Sequence, residues 1–223
     1  VNDQAMYSFN LQAAQMYLDK AAQYGSTADA AKLTAQVHTQ MDKIKGVVRL
    51  NMVPLALATD LVEVSISEIV AANTDLYLLD DSSGRVLHFD LRGEEYVKDA
   101  TFDCGPNPTN PQNKIGKLVD MLQIPFGNSF GATILAADAY GNIEFCIPGN
   151  TGNITKLIAP DAGWKGVTAI SLNQNKLYVL DPGNNAVFVY PGTGIVFEDK
   201  PTLFFDDEIP DMAKAVDIEV YAG

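Results

Sequence analysis

Along residues 3 to about 46 the apolar positions recur at three- and four-residue steps. Met6, Phe9, Ala13, Met16, Tyr17, Ala21 and Tyr24 fall on one face of a helix. Gly25 supplies the left-handed position that stops a helix, and Ser26 follows as an N-cap with Asp29 three residues on. A second helix then carries Ala30, Leu33, Val37, Met41 and Ile44 on one face and ends at Gly46. A short loop between two amphipathic helices predicts an antiparallel hairpin over residues 1–46, its two stripes packed on each other. Ala14 to Ala21 looks like part of a tetratricopeptide repeat, but such repeats need about three copies to bury a core. His38, among Thr and Gln, reads as a solvated surface residue.

From Val62 onward the period changes to two, and turn residues cut the chain repeatedly. Three segments share one plan of apolar strand, Asp, polar turn and apolar strand. They are Leu76 to Asp80 with Val86 to Phe89, Ile134 to Asp138 with Ile143 to Phe145, and Leu177 to Asp181 with Ala186 to Tyr190. The shared Asp recurs 58 and then 43 residues on. Periods of about 40–50 residues built from short strands are the pattern of propeller blades. A further strand is expected before each copy: Val64 to Val70, a looser stretch around Phe130 to Thr133, and Gly166 to Leu172. Another is expected after, such as Thr202 to Phe205. The predicted fold is therefore mainly β with an N-terminal helical hairpin. Residues 47–223 would form a partial propeller, with blades at 62–104, 118–160 and 166–206 and the start of a fourth at 215–223. An incomplete ring leaves a blade face open. Self-association through that open edge, or coverage by the hairpin, is the expected remedy.

Charge narrows the partners. Among 223 residues there are 28 acidic and 15 basic side chains, a net charge of −13, which disfavours nucleic acid because phosphate binding needs clustered Lys and Arg. An apolar fraction of 47% excludes wholesale disorder. With two His and two Cys, neither a zinc finger nor a His-rich metal site can be built. The longest apolar run, Val53 to Ala58, is far below the roughly 18 residues of a membrane span, so no membrane insertion of this segment is expected. A start at Val1 and a strand-like end at Ala215 to Gly223 suggest a piece of a longer protein.

Asp80, Asp138 and Asp181 are the most regular polar positions, expected to accept hydrogen bonds within their own turns. No cofactor is expected; calcium is the alternative reading of these aspartates, but the Asp-x-Asp-x-Asp-Gly spacing is absent and Asp80 to Gly84 only echoes it. Asp206, Asp207 and Glu208, with Asp211, form a second acidic run, a solvated loop with weak capacity for a cation. Cys104 and Cys146 lie 42 residues apart, about one blade, so a disulfide between blades and two buried free thiols both stay open. Trp164 lies in a loop between blades as an interface anchor or as core packing. Nucleophile-elbow, phosphate-loop and dinucleotide motifs do not occur. Two functions fit: a non-catalytic binding or sensor module, or a propeller hydrolase or lyase acting on sugars or lactones through Glu68, Asp138 and Glu219.

The segments Leu76 to Asp80, Cys104-Gly105-Pro106, Asp138 to Asn142 with Cys146, and Leu177 to Gly183 resemble the NHL and YVTN group of bacterial β-propellers. More narrowly they resemble extracytoplasmic propellers that follow a membrane anchor and often accompany a type-2C-like phosphatase module. The likeness spans roughly residues 42 to 223 and rests on structural motifs. It implies an extracytoplasmic location and an oxidising setting for the cysteines; a protein or glycan ligand is expected from a repeat scaffold with loops on one face. It implies no catalytic residue.

Overall fold

The computed structural model describes residues 2–48, 54, 58–107 and 114–221. The chain divides into two compact units, Val1–Val53 and Pro54–Gly223.

The first unit holds helices α1 (Asn2–Ala22) and α2 (Ala28–Lys45), which pack on each other. The cap of α2 is Thr27 rather than Ser26: the Ala30 N–H donates to Thr27 Oγ1 at 3.2 Å. Because the cap oxygen must reach the N–H three residues on, one position decides which hydroxyl can serve. Gly46 closes α2 in the left-handed conformation, φ 65°. The expected stripe on α1 is not the buried one. Met6, Phe9, Met16, Tyr17, Ala21 and Tyr24 are exposed and only Ala13 of the stripe is half-buried, together with Ser8, Leu11, Ala14, Gln15 and Leu18. Smaller side chains let α1 sit closer to Val37, Met41 and Ile44 of α2, so α1 is rotated away from its bulkiest residues. His38 is exposed. Among the described residues no helix is long and apolar enough to cross a membrane.

The second unit is three four-stranded antiparallel sheets, each a simple meander. The first contains β1 (Ile66–Ala72), β2 (Asp75–Asp80), β3 (Arg85–Arg92) and β4 (Glu95–Lys98). The second contains β5 (Leu118–Gln123), β6 (Ile134–Asp138), β7 (Asn142–Cys146) and β8 (Asn153–Lys156). The third contains β9 (Ala169–Asn173), β10 (Lys176–Asp181), β11 (Ala186–Pro191) and β12 (Thr202–Leu203). The first strands are neighbours: β5 lies against both β1 and β9.

Alternation along the strands explains the layering. In β6, Ile134 and Ala136 face a core shared with Tyr77 and Leu79 of the first sheet. Leu135 and Ala137 face the opposite core, shared with Leu177 and Val179 of the third. Successive side chains point to opposite faces of a strand, so a sheet buried on both faces reads as an unbroken apolar run. The third sheet turns Tyr178 and Leu180 outward onto Met212, Ala215, Ile218 and Val220. Close approach between the second and third sheets needs a glycine. Gly141 takes φ +77°, and a side chain there would collide with the Trp164 ring.

Two strand expectations change. The strand before the second repeat is Leu118–Gln123, and Phe130 to Thr133 belongs to the connection that follows it. The apolar count misled because Phe130 packs from a loop, stacked on Phe145 at 4.1 Å. Ala215 to Val220 lies along the third sheet outside any ladder. The Val220 N–H donates to Ser171 Oγ, and Asn173 Nδ2 donates to the Val220 carbonyl. Alternation gives such a segment an apolar face, but only a paired backbone makes it a strand. Ala222 and Gly223 lie outside the described residues.

Candidate functional site

The three repeat aspartates are nearly inaccessible: Asp80, Asp138 and Asp181 are at most 5% exposed. Each ends the second strand of its sheet, and each accepts from its own turn. Asp80 takes the Ser82 N–H and the Ser82 and Ser83 hydroxyls. Asp138 takes the Tyr140 and Asn142 N–H groups and Asn142 Nδ2. Asp181 takes the Asn184 N–H and Nδ2. Each also accepts one backbone N–H from the segment leading into the first strand, namely Ser65, Gly116 and Lys165. The aspartate thus fastens the entry of a sheet to its central hairpin. Burial opposes ionisation at Asp80, but the bonds from Ser82, Ser83 and Ser65 outweigh it and bring the carboxyl down to about 2.

A second set of carboxyls lines a cleft of about 310 Å³ where the first strands meet. Glu68 of β1 and Asp120 of β5 sit at matching places, each just after a register shift in its ladder. Glu68 Oε2 accepts the Met121 N–H at 3.1 Å, and Asp120 Oδ2 accepts the Ile170 N–H at 2.6 Å. Ser171 continues the series by accepting from Val220. β1 and β5 therefore each offer a side-chain acceptor to the next first strand, and β9 offers one to the segment that follows the third sheet. In the third sheet the ladder position beside the aspartate holds Ala169, which leaves Ser171 to reach across.

Glu68 and Asp120 also hydrogen-bond one another. Burial, then the adjacent Asp120, raises Glu68 to about 8, so it holds the proton of the pair at neutral pH. Burial raises Asp120 as well. Gln123, Ser171, Asp217 and Glu219 complete the polar lining.

Of the residues singled out from sequence, Glu68 and Glu219 share this cleft. Asp138 does not line it, because its turn encloses it. Asp120 and Asp217 escaped notice. The signal for Asp120 was its place in Leu118-Val119-Asp120, which matches Ile66-Ser67-Glu68 once the correct strand is chosen.

Cys104 and Cys146 form a disulfide with Cα atoms 5.6 Å apart, joining the end of the first repeat to β7. Beside it Glu144 accepts the Gly105 N–H at 2.7 Å, and burial raises its carboxyl to about 7. Trp164 is half-buried between sheets, edge-on to Phe188 at 5.7 Å and stacked near Tyr190 at 6.3 Å. Asp206, Asp207, Glu208 and Asp211 are all exposed. Neither the protein-family models nor the curated proteins contain a match to this chain.

Proposed function

We propose that the chain is a non-catalytic recognition module, built as part of a β-propeller whose blades are the three sheets. The handover of acceptors Glu68 and Asp120 from one first strand to the next, continued by Ser171 to the Val220 segment, carries this reading. It supports sheets fanned by one repeated step about a common axis, and it spends the cleft carboxyls on backbone N–H groups. The module would bind a protein or glycan outside the cell, the location implied by the resemblance to NHL and YVTN propellers. The disulfide is compatible with that setting. The segment that covers the outer face of the third sheet, with Val216 and Tyr221 exposed on it, would carry self-association.

A second reading rests on one observation. A carboxyl that keeps its proton near neutrality beside another carboxyl is the pair that acid–base hydrolysis uses. A sugar- or lactone-directed enzyme would then use Glu68 with Asp120. A screen of chromogenic glycosides and lactones separates the two: the recognition module shows no turnover. Turnover that disappears in Glu68→Gln, with the fold retained by circular dichroism, would replace it with the enzyme. Light scattering tests assembly, with a dimer or higher species expected and a strict monomer counting against self-association through this segment.

A further inference from the structure

The first sheet carries a group that the cleft does not use. His88 on β3 is 1% exposed, stacked on Tyr77 at 4.7 Å and closed from another side by Phe102. Three carboxylates surround its ring. Nδ1 lies 3.1 Å from Asp99 Oδ2 in a hydrogen bond. Nε2 lies 3.2 Å from Asp75 Oδ2 and 3.5 Å from Asp90 Oδ1, yet it makes no hydrogen bond.

The ladder explains the crowding. Tyr77 pairs with His88 and Leu76 with Phe89, so one step further along the two strands brings Asp75 beside Asp90. Like charges at facing positions of a sheet repel. Nδ1 is paired with Asp99, while Nε2 faces two carboxylate oxygens without a hydrogen bond. Three negative partners face one imidazole, with Arg92 reaching only the far oxygen of Asp90, at 3.1 Å.

Each carboxylate is also held by the oxygen that does not face Nε2 or Nδ1. Thr74 Oγ1 donates to Asp75 Oδ1, Arg92 to Asp90 Oδ2, and Thr101 N–H and Oγ1 to Asp99 Oδ1. The oxygens toward the ring are thereby pre-aimed.

We propose that Asp75, His88 Nε2 and Asp90 bind a divalent transition cation of the zinc class, with Asp99 as the positioning residue for the imidazole. The three donor atoms lie within 4.8 Å of one another. A tetrahedral ion with bonds of about 2.0–2.1 Å separates its ligands by about 3.3–3.4 Å, close to the two Nε2–oxygen spacings. One nitrogen and two carboxylate oxygens leave a fourth position for water. Partial exposure of Asp75 and Asp90 provides the entry path. Imidazole favours zinc-class ions over calcium or magnesium. A His donor backed by a carboxylate on its other nitrogen is the usual second partner of such a ligand. The site is independent of the role given to the cleft. The other close set of donors, Cys104, Glu144 and Cys146, has its sulfurs tied up in the disulfide.

The test is titration of the chelator-treated protein with Zn²⁺ by calorimetry, and with Co²⁺ by visible absorption. One equivalent of each is expected, with a tetrahedral Co²⁺ band and no displacement by excess Ca²⁺. Asp75→Asn and His88→Gln should each remove the Co²⁺ band. Asp99→Asn should keep the one-to-one stoichiometry while weakening affinity about 10–100-fold, and Asp99→Glu should restore part of it. Changing Asp206, Asp207 and Glu208 together should alter nothing. Absence of Zn²⁺ and Co²⁺ binding by the parent protein would overturn the proposal, as would displacement by Ca²⁺. If His88→Gln fails to fold, Asp75→Asn at its half-exposed strand end decides: binding equal to the parent overturns the site.

Discussion

Asp80 and Glu68 occupy neighbouring rungs of the same ladder, Ile66 facing Asp80 and Glu68 facing Leu79. Their carboxyls behave oppositely. Asp80 collects four donors from serines and settles at about 2. Glu68 has one backbone N–H and an acidic neighbour, and settles near 8. Burial acts against charge at both positions. The number of donors, and the sign of the nearest charge, decide which one ionises. The first kind of carboxylate builds the fold. The second keeps a movable proton on an open cleft.

The strongest way to break this contrast is Asp138→Ala. It removes a fully buried acceptor from the N–H groups of Gly116, Tyr140 and Asn142 and from Asn142 Nδ2. We expect a loss of about 3–4 kcal/mol in urea unfolding. Asp120→Asn, which keeps an oxygen for Ile170, should stay well below that, and equal losses would erase the distinction.

Next in size is the disulfide beside Glu144, a buried carboxyl between the first two sheets. Replacing Cys104 and Cys146 together by Ser should cost about 2–4 kcal/mol, read from the unfolding midpoint under oxidising conditions.

A pH series sharpens the comparison further. Glu68 has a higher affinity for its proton folded than unfolded. Its stabilisation is therefore complete below the ordinary value of 4.5 and is lost as pH rises through about 8. Glu144, raised to about 7, adds to the same slope. Asp80 has the reverse sign, and its contribution disappears only as pH falls from 3.8 through about 2. Glu68→Gln should flatten melting temperature against pH between 5 and 8 without abolishing the residual slope from Glu144. An unchanged profile would show that Glu68 ionises normally.

The smallest effect expected is that of Ser83→Ala, which removes one of the hydroxyl donors to Asp80. A cost of about 1 kcal/mol in the same unfolding assay is predicted, since the other donors remain.

The repeat was legible because its marks are local. Strand alternation, turn residues and an Asp at a fixed offset from them need only a few neighbouring residues to take effect. The α1 stripe was misread because two faces of that helix are apolar enough to pack, and the partner helix chose the one with smaller side chains. The strand Leu118–Gln123 was passed over because Phe130 offered a louder apolar signal from a loop. Asp120 and Asp75 were invisible as functional groups, because each depends on a strand from elsewhere in the chain.

The amino-acid order alone determined two helices, the period-two region and the three turn aspartates, since propensity and alternation act over a few residues. Only the tertiary structure decided that Glu68 meets Asp120, that Cys104 joins Cys146, and that His88 faces three aspartates. Those meetings depend on register and on how one sheet seats against the next. A shift of one residue would have sent the strand-borne groups among them, Glu68, Asp120, Cys146 and His88, to the opposite face.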